Sequence, residues 1–144
     1  MKPIYIAADH AGFKLKELLK VQLAKNKIAF VDLGNSVYEK NDDYPDFGYV
    51  LAKKVAKEKG IGVLMCGSSF GVCIVANKVK GIRAVSISNV RDAKLSREHN
   101  NANVLCLSGW NLSSQNAMKI VNAFLTTKFS TEARHRRRVK KIEG

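Results

Sequence analysis

Cysteine, acidic residues and long apolar runs are scarce in this sequence, and each shortage excludes a class of protein. The three cysteines, Cys66, Cys73 and Cys106, have no paired spacing, which argues against a disulfide framework. No His or Cys pair accompanies them at zinc-ligand spacing, so a zinc site is poorly supported. No apolar stretch approaches the length of a membrane span, which argues against an integral membrane protein.

The length and the first residues of the chain indicate one cytoplasmic domain. A chain of 144 residues, 46% of them hydrophobic, is long enough to bury a core. The first apolar run, residues 4–8, is too short for a signal peptide and ends at Asp9 and His10. No repeat, linker or low-complexity segment interrupts the sequence. We therefore expect a single domain over residues 1–144, located in the cytoplasm.

The shortage of acidic residues leaves the chain strongly basic. It has 25 Lys and Arg against 12 Asp and Glu, which gives a formal net charge of +13. Such a balance indicates an anionic partner, such as nucleic acid, a membrane surface or a phosphorylated metabolite. Residues 134–141 are almost wholly basic, and composition alone favours a solvated tail or a nonspecific nucleic-acid arm there.

Apolar patterning predicts strands that alternate with helices. The predicted strands cover residues 4–8, 28–33, 61–66, 82–87 and 103–107. The predicted helices cover residues 12–26, 47–59, 72–79, a segment that starts at Asn89, and 117–125. This alternation is typical of an α/β fold. We expect a three-layer α/β/α domain with a five-stranded parallel sheet, doubly wound and Rossmann-like, followed by a C-terminal helical basic tail.

The predicted sheet gathers three chemically interesting loops at one edge. In parallel sheets, ligands bind beyond the carboxyl ends of the strands. Asp9 and His10 follow the first strand, residues 66–71 follow the third, and residues 108–110 follow the fifth.

The loop at residues 66–71 has a cysteine followed by glycines. Glycines permit a tight turn and let backbone N–H groups face a ligand, and the N-terminus of the next helix adds positive charge. Such a loop suits phosphate or an enolate-like oxyanion. A thiolate at Cys66 would be a base or nucleophile. The alternative is that Cys66 is a buried residue at a strand end and the glycines only turn the chain.

The two histidine motifs each have a functional and a structural interpretation. Asp9 and His10 can bind or transfer protons, but Asp9 can equally cap the following helix. His99 and Asn100 lie in a polar stretch, where a lone histidine is more often a surface residue than a catalyst.

The order of the short motifs is more specific than any one of them. The motifs are Asp9-His10-x-Gly12, Asp43-Tyr44-Pro45, Cys66-Gly67-Ser68-x-x-Gly71, Ala76-Asn77-Lys78, Gly81-Ile82-Arg83-Ala84, His99-Asn100-x-x-Asn103-Val104-Leu105 and Arg134-His135-x-x-Arg138-Val139. This order resembles the type B ribose-5-phosphate isomerases and the related galactose-6-phosphate isomerase subunits over about residues 4–142.

The resemblance implies catalytic roles. Cys66 would be the base that takes the proton from C2 of the sugar and returns it to C1, with the Ser68 hydroxyl beside it. His99 would be the acid/base that opens the sugar ring, assisted by Asp9. An oxyanion cradle for the enediolate would consist of backbone N–H groups from Gly67, Ser69, Phe70 and Gly71.

The resemblance also implies binding roles and a substrate. Asp43 and Asn100 would contact sugar hydroxyls, and His10, Arg134 and Arg138 would bind the phosphate. The reaction would interconvert ribose 5-phosphate and ribulose 5-phosphate in the pentose phosphate pathway. No metal or organic cofactor, membrane or specific nucleic acid is implied.

Quaternary structure is part of the same resemblance. Family members are dimers that share each active site across the interface, with His99 and Asn100 supplied by the partner chain. We therefore expect a homodimer, or a dimer of dimers.

Two residues depart from the family pattern. Ser69 replaces the second glycine of the loop, so it is strained, or the loop is reshaped, if that position needs positive φ. Trp110 stands where the family usually has an arginine on the phosphate. A Trp there could stack on the sugar or pack in the dimer interface, although we expect the remaining basic residues to compensate.

Three other functions remain open. The first is an isomerase of a hexose 6-phosphate, such as galactose or allose 6-phosphate, with residues 35–45 and Trp110 setting the pocket depth. The second is a nucleic-acid-binding protein that uses the basic tail, which leaves the joint presence of Cys66 and His99 unexplained. The third is a silent subunit of a hetero-oligomeric isomerase, which the presence of the catalytic set disfavours.

Overall fold

A parallel β-sheet covered by helices on both faces organises residues 2–144, the part of the chain that the computed structural model describes. The strands are β1 (Ile4–Ala8), β2 (Phe30–Asp32), β3 (Gly62–Cys66), β4 (Ala84–Ser86) and β5 (Val104–Ser108). The helices are α1 (His10–Lys25), α2 (Tyr44–Glu58), α3 (Phe70–Ala76), α4 (Val90–Asn100), α5 (Ser114–Thr126) and α6 (Ala133–Glu143). The predicted α/β fold and the helical basic tail are confirmed.

The strand order β2-β1-β3-β5-β4 creates a crevice at the centre of the sheet. All neighbouring strands are parallel. From β1 the chain moves outward to β2, and it then returns to lay β3 on the other side of β1. The connections that leave β1 and β3 therefore diverge, which opens a crevice beyond their carboxyl ends. Asp9 follows β1 and Gly67 follows β3, so both lie at this crevice.

The three central strands are buried on both faces. Every residue of β1, β3 and β5 is buried. Successive side chains alternate between the faces of a strand. One face packs on α1, α4 and α5 through a cluster that includes Ile6, Met65 and Phe124. The other packs on α2 and α3 through a cluster that includes Leu51, Val72 and Cys66. Cys66 therefore faces the α2 and α3 layer.

A buried lysine fastens α1 to the sheet. Lys16 is fully buried, and its Nζ lies 2.6 Å from Asp32 of β2 and 3.0 Å from Glu17. Burial raises the pKa of Asp32, but hydrogen bonds from Lys16, from the Gly34 N–H and from Lys20 outweigh burial and hold that pKa below its usual range. Because these bonds favour the carboxylate, Asp32 stabilises the fold above its unfolded pKa and loses that contribution as the pH falls through its folded pKa.

The edge strands are shorter than predicted because turns occupy their first residues. Residues 28–33 were predicted as strand, but Lys27 is left-handed (φ 55°) and the Ile28 N–H donates to Leu23 O, which ends α1. Residues 82–87 were predicted as strand, but the Ile82 N–H donates to Val79 O in a turn.

Helix starts differ from the predictions where local signals outweigh periodicity. Helix α1 starts at His10 rather than residue 12, because the Asp9 carboxylate caps it by accepting from the Gly12 N–H. Helix α2 starts at Tyr44 rather than at residue 47, because proline favours the first turn of a helix. The predicted start of α4 at Asn89 is confirmed, because its side chain accepts from the Asp92 N–H.

Helix α3 ends at Ala76, before the predicted residue 79. The Asn77 side chain stops it there with two hydrogen bonds to the backbone of Ala84, at 2.8 and 2.9 Å. Within residues 2–144, no helix has both the length and the apolarity needed to cross a bilayer.

Candidate active site

The loop after β3 is tied to the loop after β5. Cys66, the last residue of β3, is only 4% exposed and pairs in register with Ser108 of β5. The Gly109 N–H donates to Cys66 O at 2.8 Å, and the Ser108 hydroxyl donates to Gly67 O at 2.6 Å. These bonds fix the backbone of Cys66 and Gly67 at the crevice.

Trp110 covers the glycine loop. A Cβ atom added at Gly67 would lie 2.4 Å from two carbons of the Trp110 ring, so the indole packs directly on Gly67. The backbone N–H of Trp110 also donates to Gly67 O at 3.2 Å, yet 72% of the residue remains exposed. The residue that departs from the family pattern therefore contacts the loop of its own chain and presents a large apolar surface beside it.

Ser69 has a left-handed backbone conformation, which glycine adopts more readily than serine. Its φ is +75°, in the left-handed region that costs a non-glycine residue roughly 1–2 kcal/mol. Of the two alternatives, strain at Ser69 is therefore the one observed. The Ser69 side chain is buried, and its hydroxyl is hydrogen-bonded to the hydroxyl of Ser86 at the end of β4. Nothing in the sequence alone indicated this partner.

The remaining loop residues surround the start of α3. The Ser68 hydroxyl accepts from the Phe70 N–H at 3.2 Å, and Phe70 itself is exposed. A Cβ atom at Gly71 would lie 2.6 Å from the ring of Tyr44, so only glycine fits beneath that ring. Tyr44 follows Asp43, which is exposed and makes no side-chain cap on α2.

Asp9 lies in the crevice, where burial is the largest influence on its charge. Its carboxylate accepts from the Gly12 N–H at 3.0 Å, so the predicted capping role is present. Burial raises the pKa of Asp9, against the lowering effect of that hydrogen bond and of the nearby His10. The cap uses only part of the acceptor capacity of the Asp9 carboxylate, so Asp9 can cap the helix and also take part in chemistry.

His10 is paired with an aspartate that the sequence did not single out. Its Nδ1 lies 2.8 Å from Oδ1 of Asp42, and this hydrogen bond raises the pKa of His10. The sequence motif pointed to the adjacent Asp43 instead. Donor atoms of Asp9, His10 and Asp42 lie within 4.8 Å of one another, a spacing that could hold a metal ion. Hydrogen bonds within the protein already engage all three side chains.

His99 and Asn100 lie at the opposite edge of the sheet. Helix α4 starts after the carboxyl end of β4 and returns to the amino end of β5, so its last two residues lie at the amino edge. Eleven helical residues span about 16 Å, which separates them from the crevice. The His99 ring stacks on His135 of α6, with centroids 4.2 Å apart and planes 9° from parallel.

The basic helix α6 lies at this same amino edge. It buries His135 and Val139, and Glu143 pairs with Arg83 just before β4. Burial lowers the pKa of His135, and the nearby His99 and Arg134 add to this effect. Arg134 and Arg138 are exposed, and Arg134 forms an ion pair with Glu132 at 2.7 Å.

The sequence-predicted residues thus form two groups within one chain. The carboxyl-edge group consists of Asp9, His10, Asp43, Cys66, Gly67, Ser68, Ser69, Phe70 and Gly71. The amino-edge group consists of His99, Asn100, Arg134 and Arg138. The fold brings the members of each group into one region and keeps the two groups apart.

The chain is similar in sequence and in fold to known isomerases. The chain is 45% identical over 141 residues to a probable ribose-5-phosphate isomerase B of Mycoplasma genitalium, covering 96% of this chain and 92% of the relative. The fold matches the crystal structure of that organism's ribose-5-phosphate isomerase B with bound ribulose-5-phosphate (TM-score 0.92, 43% identity, 98% and 93% of the two chains). It also matches the Thermotoga maritima ribose 5-phosphate isomerase (TM-score 0.93, 39% identity, 98% and 97%). These relatives are isomerases.

The family pattern covers the same residues as the motifs. The sequence pattern of the ribose/galactose isomerases matches residues 4–142. The chain therefore belongs to the ribose/galactose isomerase family, and it is an enzyme of the isomerase class.

The Ser69–Ser86 pair predicts a background-dependent loss of stability. Ser86→Ala removes the hydrogen-bond partner of the buried Ser69 hydroxyl. We expect this change to lower the free energy of unfolding, measured by urea denaturation, by about 1–3 kcal/mol. In a Ser69→Gly background both the hydroxyl and the strain are gone, so Ser86→Ala should change stability by less than about 0.5 kcal/mol. Equal losses in the two backgrounds would show that Ser86 acts independently of Ser69.

Proposed function

We propose that the chain is an aldose–ketose isomerase that interconverts ribose 5-phosphate and ribulose 5-phosphate. The observation that carries the proposal is the position of Cys66. It ends the central strand β3 at the crevice, next to a glycine loop, in a chain of the isomerase family. From this substrate class we also infer a cytoplasmic location and a role in the pentose phosphate pathway.

Cys66 acts as the base that moves a proton between the two reacting carbons. Its thiolate takes the proton from C2, the electrons of the C2–H bond form a C1–C2 double bond, and negative charge moves to the C1 oxygen. The thiol then returns the proton to C1. The hydroxyl proton of C2 passes to the C1 oxygen as C2 becomes the carbonyl. A positioned base of this kind contributes about 10²–10⁴ in rate.

The glycine loop stabilises the charge that develops in this step. The enediolate oxygen needs preorganised N–H donors, and each one removed from such a site typically costs about 3–4 kcal/mol. Backbone N–H groups over residues 67–71 supply them. The left-handed conformation at Ser69 supports this role because it is the conformation that glycine would favour at this position of the loop. The Ser68 hydroxyl lies within the same loop and assists beside Cys66.

A complete site requires two copies of the chain. His99 and Asn100 lie at the amino edge of their own sheet, so they reach a Cys66 loop only in a second molecule. We therefore propose a homodimer in which the amino-edge group of each subunit faces the carboxyl-edge group of the other. A two-fold axis makes two equivalent sites of this kind, and a dimer of dimers preserves them.

Exposed apolar residues support this dimer. Phe70 and Ile74, one turn apart on α3, are 64% and 62% exposed and lie next to the Cys66 loop. Together with Trp110 they give the surroundings of the site an apolar surface that is suited to burial in an interface. His99 from the partner, assisted by Asp9, then opens the sugar ring.

Phosphate binding combines residues of both subunits. His10 from one subunit and Arg134 and Arg138 from the other would converge on the phosphate, while Asp43 and the partner's Asn100 hold sugar hydroxyls. The two arginines are four residues apart on α6 and so share one face. Gripping the phosphate holds the reacting carbons in register.

A hexose 6-phosphate is the second candidate substrate, and Trp110 is the observation that favours it. The indole lies on Gly67, where the family usually has an arginine on the phosphate, and it could stack on a longer sugar. Comparing kcat/KM for ribose 5-phosphate with that for galactose and allose 6-phosphate decides between the two. Preference for a hexose phosphate would keep the mechanism and change the substrate.

The proposed base makes Cys66 indispensable for turnover. Cys66→Ala should lower kcat for ribose 5-phosphate by at least about 10²-fold, because no other group takes the C2 proton. The fold and the dimer should persist, as measured by circular dichroism and sedimentation. Cys73→Ala is the matched control and should keep near-normal kcat. A near-normal kcat for Cys66→Ala would assign the base to another residue.

The proposed phosphate site predicts different effects for replacing Arg138 and Lys141, two basic residues of α6. Arg138→Ala should raise KM for ribose 5-phosphate about tenfold or more, because a charge-assisted contact to phosphate is lost. Lys141→Ala removes an equal charge from an exposed position and should leave KM nearly unchanged. Equal effects of the two changes, or tight salt-resistant binding of DNA or RNA, would instead favour the nucleic-acid alternative.

A further inference from the structure

We propose that Asp42 is a positioning residue that fixes the ring and the Nδ1 proton of His10, so that Nε2 is the ring nitrogen left to bind the substrate phosphate. The inference rests on the proposed function for the identity of the ligand. The arrangement of the two side chains can be tested without it.

The geometry is that of a carboxylate holding one histidine at two points. Oδ1 of Asp42 accepts from the backbone N–H of His10 at 2.8 Å and pairs with its Nδ1, also at 2.8 Å. The Asp42 side chain is only 8% exposed, whereas that of His10 is 36% exposed. A histidine with one nitrogen engaged in this way presents the other to a ligand, and the tautomer is set by the engaged nitrogen.

The other oxygen of the Asp42 carboxylate has a hydrogen-bond partner as well. Nδ2 of Asn35 donates to Oδ2 of Asp42 at 3.4 Å. Asp42 lies in the loop before α2, while His10 is the first residue of α1. The pair therefore links the start of α1 to the loop before α2, two segments that lie at the carboxyl edge of the sheet.

The charge of Asp42 also favours the cationic form of His10. The titratable groups that act on His10 are Asp42, from the loop before α2, and Asp9, from the end of β1. The hydrogen bond to Asp42 is the largest influence and raises the pKa of His10, burial opposes it, and the charge of Asp9 adds to the rise. A protonated imidazole gives phosphate a charge-assisted hydrogen bond, which is about twice as strong as a neutral one.

The expected effect of Asp42→Asn depends on pH in a defined direction. Asn keeps the shape but removes the charge, so the pKa of His10 should fall toward the ordinary histidine value near 6.5. At low pH both proteins carry a protonated His10, and their kcat/KM values should converge. As the pH rises, His10 loses its proton at a lower pH in the variant than in the wild type. Above both pKa values, kcat/KM of the variant should therefore be about tenfold below that of the wild type for each unit by which the His10 pKa has fallen. The fall should appear in KM rather than in kcat.

The experiment combines NMR titration of the histidines with pH profiles of kcat and KM. The chain has 3 histidines, and the His10→Gln spectrum identifies the His10 signal. In Asp42→Asn the His10 pKa should fall, while Asp46→Asn, a charge removal at an exposed position in the first turn of α2, should leave it unchanged. Once His10 is replaced by Gln, adding Asp42→Asn should not raise KM further.

The outcomes separate this inference from the proposed function. An unchanged His10 pKa in Asp42→Asn, or a KM that stays at the wild-type value at every pH, would overturn the positioning role even in an active isomerase. A lowered His10 pKa in a protein that does not isomerise ribose 5-phosphate would support the geometry and reject the proposed substrate.

Discussion

Parallel strands impose the constraint on which the rest of this molecule depends. Each helix that follows a strand must return to the amino edge before the next strand can start. A residue at a strand's carboxyl end and a residue at the end of a returning helix therefore lie at opposite edges of the sheet. Cys66 is of the first kind and His99 is of the second. Chemistry that needs both side chains needs two copies of the chain.

Close backbone contacts at the crevice make the carboxyl-edge group possible. A Cβ atom at Gly12 would lie 2.4 Å from Met65 O, and one at Gly109 would lie 2.3 Å from Ala11 O. Real Cβ atoms do not approach backbone this closely, so glycine at these positions lets α1 meet the end of β3 and the loop after β5. Asp9, Cys66 and the glycine loop are brought together by this packing, and Trp110 covers the loop by the same close approach to Gly67.

Much of the fold could be predicted because its signals are local. The continuous apolar runs of β1, β3 and β5 indicate strands buried on both faces, and Asn89 marks a helix start through its own cap. The edge strands β2 and β4 were predicted too long. The apolar residues that precede each of these strands lie in turns. An apolar residue fits a turn or a strand equally well in the sequence pattern, and only the hydrogen bonds of the folded chain show which one it occupies.

The candidate site was less accessible to sequence reasoning where it depends on tertiary contacts. The strain at Ser69 could be anticipated from the missing glycine, but its partner Ser86 lies 17 residues away, at the end of β4. Asp42 and Asp43 are adjacent in a polar loop, and only the fold shows which carboxylate reaches His10. The stacking of His99 on His135 depends on how α6 packs against α4, which no spacing within either helix encodes.

Mixing two inactive variants tests most directly whether the active site is shared. One variant carries Cys66→Ala and the other carries both His99→Ala and Arg138→Ala. In a mixed dimer one site contains both replaced groups and the other is wholly intact, so random mixing should restore about a quarter of the wild-type activity. A mixture of Cys66→Ala with His10→Ala, both in the carboxyl-edge group, should restore none. Absence of recovery in verified mixed dimers of the first pair would contradict a site built from two chains.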